Sequence, residues 1–149
     1  MLKAYKIGDR DARPWGSYIV TGVGQNENGE YCDKDITIHA GQVLSLQSHK
    51  LRRETWTVVE GVLTVLVDGQ RLELQPGQTV HIPKGSIHCM AALGKTQCVV
   101  QERQEGVCRE EDIIRYVDAY GRATADASSP VVAVSIAAYQ KILAELGHK

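Results

Sequence analysis

The stretch from residue 41 to residue 61 constrains the fold of this chain more than any other feature. Its pattern indicates a strand, a tight corner at residues 50–53 and a second strand that begins near Glu54. Because alternate residues of a strand point to the same face, Gln47 and His49 project together. An amide oxygen, an imidazole and a carboxylate can therefore converge on one point.

A second segment, residues 77–88, supplies a fourth candidate group. Its Pro83-Lys-Gly85 sequence favours a turn, so we expect a new strand to begin at His88. Two oxygen and two imidazole donors suit a divalent metal with coordination positions left open. The four predicted ligands are Gln47, His49, Glu54 and His88. For Gln47, a hydrogen bond inside the barrel is the alternative.

These two segments resemble the two signature motifs of the cupin superfamily. The first motif has Gln47 where cupins usually have a histidine, and the second has Ala92 where they usually have an asparagine. Eight fixed positions match in the right order. They are Gly41, His49, Glu54, Gly61, Pro83, Gly85 and His88, with Gly77 opening the second motif.

The pattern along the chain agrees with an all-β fold. From about residue 17 to residue 103, β-branched residues alternate with polar ones between closely spaced turn signals. Such a pattern predicts a sandwich or barrel, and cupins form a double-stranded β-helix, a jelly-roll barrel. Asp68-Gly69 predicts a hairpin turn, and residues 24–29 predict a loop. Predicted strands are 17–22, 32–39, 43–49, 54–60, 62–68, 71–75, 78–82, 87–92 and 97–103.

The pattern changes after residue 105, where short C-terminal helices are expected. Acidic residues at 110–112 favour the start of a short helix at 110–115. Residues 123–129 resemble a linker, and Ser129-Pro130 should cap a helix over about 131–146 that ends before Gly147. We therefore divide the chain into a cupin barrel with its closing segment (1–122) and a linker with a C-terminal amphipathic helix (123–149).

That last helix has an apolar stripe, which must be buried somewhere. Docking on its own barrel and pairing with a second subunit are the two alternatives. By analogy with other cupins, we expect a homodimer. The stripe consists of Val132, Ile136, Tyr139, Leu143 and Leu146.

Composition narrows the class of partner. The 149 residues are enough for one domain with one core, and the net charge of −1 is spread over interspersed acidic and basic residues. We expect no nucleic-acid partner and no membrane partner, since no apolar run could span a bilayer and no signal-peptide pattern begins the chain. Four cysteines without a Cys-x-x-Cys pair indicate reduced thiols and a cytoplasmic protein.

Five blocks within about residues 13–122 resemble the type II mannose-6-phosphate isomerases, whose domain also forms the C-terminal part of bifunctional enzymes with mannose-1-phosphate guanylyltransferase. The chain departs from the family in two places. Leu51 and Thr55 stand where the family usually has histidines, and residues 101–106 match the family's Glu-Val-Gln-x-Gly segment in no single clear register. The blocks are Arg13-Pro-Trp-Gly-Ser-Tyr18, Leu44-Ser-Leu-Gln47-x-His49, Arg52-x-Glu54-x-Trp56, Ile82-Pro-x-Gly-x-x-His88, and Glu-Asp-Ile-Ile-Arg115 with Asp118-x-Tyr-Gly-Arg122.

The resemblance implies an aldose–ketose isomerase that converts mannose 6-phosphate into fructose 6-phosphate through an enediol. It implies one divalent ion, zinc first and iron, manganese, nickel or cobalt as alternatives, and a sugar or sugar-phosphate ligand. Arg52 and Arg122 are predicted to meet the substrate phosphate or transition-state charge. Glu102 is the candidate base.

Two other functions stay open. The changes at Leu51 and Thr55 favour a metal- or sugar-binding cupin module without turnover. The subset of two histidines and one carboxylate would also suit an iron-dependent dioxygenase. His39 and His81 match no motif and should be ordinary strand residues, while Trp15 and Trp56 should line the core or the pocket.

Overall fold

A computed structural model describes residues 4–117 and 129–147. Within these ranges the chain forms strands followed by one helix, α1 (Pro130–Glu145). The strands are β1 (Arg10–Arg13), β2 (Gly16–Asn26), β3 (Gly29–Ile38), β4 (Gln42–Val43), β5 (Leu46–Ser48), β6 (Arg52–Glu60), β7 (Leu63–Val67), β8 (Gln70–Leu74), β9 (Thr79–Ile82), β10 (His88–Ala92), β11 (Cys98–Gly106) and β12 (Ile114–Val117).

The strands form two antiparallel sheets whose apolar faces share one core. The first sheet has the order β1-β2-β3-β11-β6-β9, and the second has the order β12-β5-β10-β7-β8, with β4 also paired to β10. Ile38, Trp56 and Val100 of the first sheet pack in the same cluster as Val65 and Met90 of the second. The predicted all-β barrel is therefore confirmed.

Strand β10 is buried on both faces, and its alternation sets the direction of His88. Met90 and Ala92 belong to the core between the sheets, whereas Cys89 and Ala91 belong to the cluster under α1. Because His88 lies two residues before Met90, it points into the barrel.

Helix α1 covers the outer face of the second sheet. Tyr139 and Ile142 are fully buried there, and the Tyr139 hydroxyl donates a hydrogen bond to the Leu44 carbonyl at 2.7 Å. The apolar stripe thus docks on its own barrel, which confirms one of the two alternatives. Ser129 precedes the helix and Pro130 begins it, but the Ser129 side chain makes no capping hydrogen bond. No helix within residues 4–117 and 129–147 is long and apolar enough to cross a membrane.

Several local predictions are wrong. The helix expected at 110–115 is a turn followed by strand β12, because the Asp112 carboxylate accepts hydrogen bonds from the amides of Lys50 and Leu51 and ties this segment to the corner. Residues 24–29 are mostly strand rather than loop, because β2 and β3 stay paired as far as Asn26 and Gly29. Strand β1 lies before the first predicted strand, and residues 43–49 hold parts of two strands, β4 and β5, rather than one.

Other local predictions are confirmed. Asp68 and Gly69 have φ of 49° and 86° in the β7–β8 hairpin, which is the left-handed geometry of a tight turn. All four cysteines are free and buried. The linker at residues 123–129 lies largely outside the described residues, as does Arg122, and the proposed boundary between 122 and 123 falls there too.

Candidate metal centre and substrate cavity

Polar side chains interrupt the apolar inner face of the first sheet. Arg52 and Glu54 lie on the inward face of β6, and Gln104 on β11 pairs with Glu54 across the sheet. The next row joins Glu102 on β11 to Lys34 on β3. All five side chains are buried. Burying so many polar groups is unfavourable unless they find partners or a ligand, so this patch is the candidate functional site.

Two imidazoles converge on one carboxylate beside this patch. The Nε2 atom of His49 lies 3.3 Å from Oε2 of Glu54, and Nε2 of His88 lies 3.8 Å from Oε1 of the same residue. One donor atom from each of the three residues lies within 4.8 Å of the others. The structure thus brings together three of the four predicted ligands.

Backbone carbonyls fix the orientation of both rings. Nδ1 of His49 donates to the carbonyl of Asp112 at 2.7 Å, and Nδ1 of His88 donates to the carbonyl of Ser86 at 2.9 Å. With Nδ1 protonated, the lone pair of each neutral ring is on Nε2, the atom that faces Glu54. Metal-bound histidines are commonly oriented in this way, by a hydrogen bond from the ring nitrogen that does not face the metal.

The protonation states in this cluster are those that a metal needs. Burial lowers the pKa of His49 to about 4 and also lowers the pKa of His88, so both rings are neutral near neutral pH. Burial alone would raise the pKa of Glu54, but the nearby His49 imidazole and Arg52 guanidinium outweigh burial and hold it below its usual range. Neutral imidazoles and an ionised carboxylate can bind a divalent cation without first losing protons.

Gln47 is placed to supply a further oxygen. It lies on β5 directly opposite His88 on β10 and lines the same cavity as the cluster. Its amide nitrogen donates to the Ser45 carbonyl at 3.4 Å. Among the described residues no donor hydrogen-bonds its amide oxygen, which leaves that atom available as a ligand.

Arg52 holds the cluster from one side. Its Nε donates to Oε2 of Glu54 at 2.9 Å, its Nη1 donates to the carbonyl of Arg109 at 2.8 Å, and its Nη2 lies 3.3 Å from Nε2 of His49. Trp56 adds a hydrogen bond from Nε1 to Oε1 of Glu54 at 3.0 Å. A cation bound to Nε2 of His49 would displace the Arg52 contact there but leave the other two in place.

A cavity of about 450 Å³ opens above these groups. Its lining combines the candidate ligands with Trp15, Trp56 and Met90 and with the polar residues Glu102, Gln104 and Arg115. Its size and mixed lining suit a small polar molecule such as a sugar.

Glu102 and Gln104 form a buried pair inside the cavity. Nε2 of Gln104 donates to Oε1 of Glu102 at 2.7 Å. Burial and the charge of Glu54 raise the pKa of Glu102 to about 7.

Gly106 settles the register that the sequence left open for residues 101–106. Its φ is 132°, and an added Cβ would lie 2.4 Å from the Leu51 carbonyl oxygen. The segment therefore has the form Glu102-x-Gln104-x-Gly106.

The other residues singled out in the sequence divide between the cavity and the rest of the barrel. His81 is an exposed residue of β9 that contacts Thr55 on the outer face, as expected of an ordinary strand residue. His39 is exposed but lies one residue after the end of β3, so its predicted place in a strand is wrong. Trp15 and Trp56 line the cavity. Arg103 pairs with Asp33 on the outer face at 2.7 Å. Arg122 is outside the described residues.

Sequence reasoning missed Lys34 and Gln104. A signal was present for Lys34, which alternates with Cys32 and Ile36 inside the predicted strand 32–39. Gln104 continues the alternation of Val100 and Glu102 but lies one residue past the predicted strand 97–103. A charged or amide side chain at an inward position of a predicted strand is unusual and indicates a site.

The sequence of this chain matches a known family over most of its length. Residues 3–118 match the family described as mannose-6-phosphate isomerase C-terminal. The chain is 41% identical over 124 residues to the alginate biosynthesis protein AlgA of Pseudomonas aeruginosa, covering 83% of this chain and 25% of that protein. It is 36% identical over 111 residues to the mannose-1-phosphate guanylyltransferase of Escherichia coli, covering 74% of this chain and 22% of that protein. The chain thus spans about a quarter of the length of these relatives.

Solved structures share its fold. KdgF from a Halomonas species superposes with a TM-score of 0.57 and 19% identity, covering 68% of this chain and 86% of that one. The capsular polysaccharide assembling protein CapF from Staphylococcus aureus gives a TM-score of 0.60 and 17% identity, covering 74% and 34%. At these identities the likeness shows the fold alone, and it confirms the double-stranded β-helix of the cupins.

Proposed function

Because this chain belongs to the mannose-6-phosphate isomerase C-terminal family, we propose that it is a metal-dependent sugar-phosphate isomerase that interconverts mannose 6-phosphate and fructose 6-phosphate or a related aldose–ketose pair. The observation that carries this proposal is the buried His49–Glu54–His88 cluster at the wall of a cavity that also holds Glu102. A cation site and a carboxyl group with a pKa near neutrality are the two components that proton transfer next to a carbonyl requires.

The cluster would hold one divalent ion, zinc by our proposal, with Gln47 as the fourth ligand. A bound ion would polarise the sugar carbonyl and stabilise negative charge on its oxygen. Within the described chain, no hydrogen-bond donor reaches Oε1 of Gln104 although this atom is buried. A sugar hydroxyl entering the cavity could satisfy it, and Gln104 would then help to orient the substrate.

Glu102 is the proposed base. A carboxyl group with a pKa of about 7 is part-ionised at neutral pH, so it can accept the proton from C2 of the aldose and return it at C1. Arg52 is already held by Glu54 and by the Arg109 carbonyl, so we propose that it positions the carboxylate and faces transition-state charge rather than phosphate. Arg122 keeps its proposed role at the phosphate.

Turnover tests the proposal. Metal-loaded protein incubated with mannose 6-phosphate should form fructose 6-phosphate, and in heavy water deuterium should enter at C1 to the extent that Glu102 exchanges its proton. Glu102→Gln should remove turnover and keep metal binding, whereas Glu27→Gln, in an exposed turn, should keep both. Absence of product with every aldose phosphate and free aldose tested would contradict an isomerase.

A binding module without turnover is the second candidate, and the structure weakens one reason for it. Thr55 contacts His81 on the outer face and Leu51 is exposed at the corner, and neither lines the cavity. The two lost histidines therefore leave the cavity lining unchanged. Sugar binding to metal-loaded protein without product would favour the module.

An iron-dependent dioxygenase is the third candidate, since two histidines and one carboxylate are its usual ligand set. Metal analysis separates it from the isomerase. Redox-active iron with oxygen uptake would favour the dioxygenase, and zinc would exclude it.

A further inference from the structure

Lys34 is a buried cation in an aromatic cage. It is 6% exposed, and its ammonium nitrogen lies 4.0 Å from the ring centre of Tyr5 and 4.1 Å from that of Tyr18. Two ring faces at this distance favour a cation and fix its position. Burial raises the pKa of both tyrosines, that of Tyr18 to about 12, so their hydroxyl groups stay protonated.

The charge of Lys34 is not matched by a neighbouring anion. Among residues 4–117 and 129–147, no carboxylate lies within ion-pair distance of its ammonium group, and no acceptor hydrogen-bonds to it. Its partner across the sheet, Glu102, is nearby but has a pKa of about 7 and so carries only part of a negative charge near neutral pH. The free N–H donors of Lys34 face the cavity, so cavity water or a bound ligand has to supply their acceptors.

Two other cations at the cavity, Arg52 and Arg13, are already engaged. Arg52 binds Glu54 and two further groups. Arg13 pairs with Asp11 at 2.6 Å at the rim. Lys34 lines the same cavity as the metal cluster, so it is open to whatever the cavity binds.

Lys34 lies at a distance from the His49–Glu54–His88 cluster that suits the phosphate end of a sugar phosphate. The cluster's carboxylate is on β6 and Lys34 is on β3, with β11 between them. Since neighbouring strands lie about 4.8 Å apart, the two positions are roughly 10 Å apart across the sheet. Glu102 and Gln104 lie on the strand between them.

We propose that Lys34, held between Tyr5 and Tyr18, binds the phosphate group of the sugar phosphate while the reacting carbons lie at the His49–Glu54–His88 cluster. This inference rests on the proposed function for the identity of the ligand. It adds a second cation at the phosphate, beside Arg122, at a residue that the family resemblance did not indicate. A compact ammonium fixed by two rings supplies charge-assisted hydrogen bonds without first having to be ordered.

Binding measured by calorimetry tests the proposal with three probes: mannose 6-phosphate, mannose and inorganic phosphate. Lys34→Met retains the apolar stem and removes the charge. A lost charge-assisted hydrogen bond of about 1.5–3 kcal/mol corresponds to roughly 10- to 100-fold weaker binding of mannose 6-phosphate. Binding of mannose should change little, and binding of inorganic phosphate should be lost. Lys95→Met, an exposed lysine outside the cavity, is the matched control.

Folding and function are separated in the same experiment. Zinc binding and the thermal unfolding midpoint report whether Lys34→Met is intact, and Lys34→Arg, which keeps the charge, should retain a preference for phosphorylated over free sugar. If wild type binds mannose 6-phosphate without turnover and Lys34→Met weakens that binding, the isomerase proposal fails and the Lys34 proposal stands. Unchanged mannose 6-phosphate binding in Lys34→Met, an equal loss for mannose, or no phosphate binding by wild type would overturn the Lys34 proposal.

Discussion

Arg52 and Glu54 lie two residues apart on the same face of β6 and form a buried ion pair at 2.9 Å. Their side chains are 6% and 3% exposed, so water screens neither charge. Glu54 is also the carboxylate on which His49 and His88 converge. The ion pair therefore fixes the central candidate ligand before any cation binds, and it makes the two residues energetically dependent on each other.

Removing one member of this pair should destabilise metal-free protein strongly. Glu54→Gln leaves the Arg52 guanidinium buried without its counter-charge, and Arg52→Met does the same to the carboxylate, at a cost of about 3–5 kcal/mol each. The double variant should cost much less than the sum, since no uncompensated charge remains. Urea unfolding in the presence of a chelator measures this coupling, and strict additivity would contradict the pair.

The buried carboxyl of Glu102 should make stability depend on pH. Burial raises its pKa from 4.5 to about 7, so between these values the unfolded chain gives up its proton first. Its contribution to the free energy of unfolding is complete below about pH 4.5 and falls as pH rises through about 7, by roughly 3 kcal/mol at most. Glu102→Gln, which mimics the protonated form, should remove this fall.

The shifted pKa of His49 makes stability depend on pH in the opposite direction, so its contribution must be separated from that of Glu102. Burial lowers its pKa from 6.5 to about 4, so its contribution to stability is lost as pH falls through that window. The informative quantity is thus the difference in the free energy of unfolding between wild type and Glu102→Gln. It is measured by urea unfolding of metal-free protein at about pH 5 and about pH 7.5. A difference that does not grow in favour of Glu102→Gln at the higher pH would contradict a raised pKa.

Much of this candidate site could be predicted from the sequence because the proposed ligands lie in two fixed-spacing motifs. His49, Glu54 and His88 converge as their spacing indicated, and the strands that carry them were located within a few residues. The inward direction of Glu102 followed from strand alternation only once the Gly106 register was known.

The wrong and missed predictions have a common physical cause, which is contact between residues far apart in the sequence. Residues 110–115 have the composition of a helix start, but pairing with β5 and the Asp112 hydrogen bonds to the corner amides outweigh that local preference. Lys34 could not be assigned to the cavity, because its cage joins Tyr5 near one end of the chain to Tyr18 on β2. Alternation along β3 indicates that Lys34 points inward, but contacts with distant segments leave no local pattern that would identify its cage.

Gly106 should tolerate no side chain. Its φ is positive, and the Leu51 carbonyl oxygen would lie 2.4 Å from an added Cβ. Gly106→Ala should therefore lower the free energy of unfolding by more than about 1 kcal/mol, roughly the cost of a strained backbone position. Gly94→Ala is the matched control, because no atom lies within 4 Å of its added Cβ. Thermal unfolding of both variants checks this, and equal midpoints would contradict the close approach.

Helix α1 should contribute to the stability of the single chain. Ile142→Ala removes a fully buried side chain from the cluster under α1 and should cost about 2–5 kcal/mol, whereas Val131→Ala, 42% exposed on the same helix, should cost less than about 0.5 kcal/mol. Equal unfolding midpoints for the two variants would contradict the docking.

The oligomeric state is a separate prediction. We still expect a homodimer by analogy with other cupins, but the apolar stripe of α1 is used within the chain, so another surface would have to form the interface. Light scattering at micromolar concentration measures the mass directly. A monomer mass would contradict the dimer.

Metal binding tests the central claim most directly. Zinc titrated into chelator-treated wild-type protein, followed by calorimetry and by metal analysis after dialysis, should bind at close to one ion per chain. His88→Ala and His49→Ala should each lower the affinity by at least about tenfold. His81→Ala, an exposed histidine on the outer face of β9, should bind zinc as wild type does. Wild-type occupancy in both His49→Ala and His88→Ala would contradict the assignment of this cluster as the metal centre.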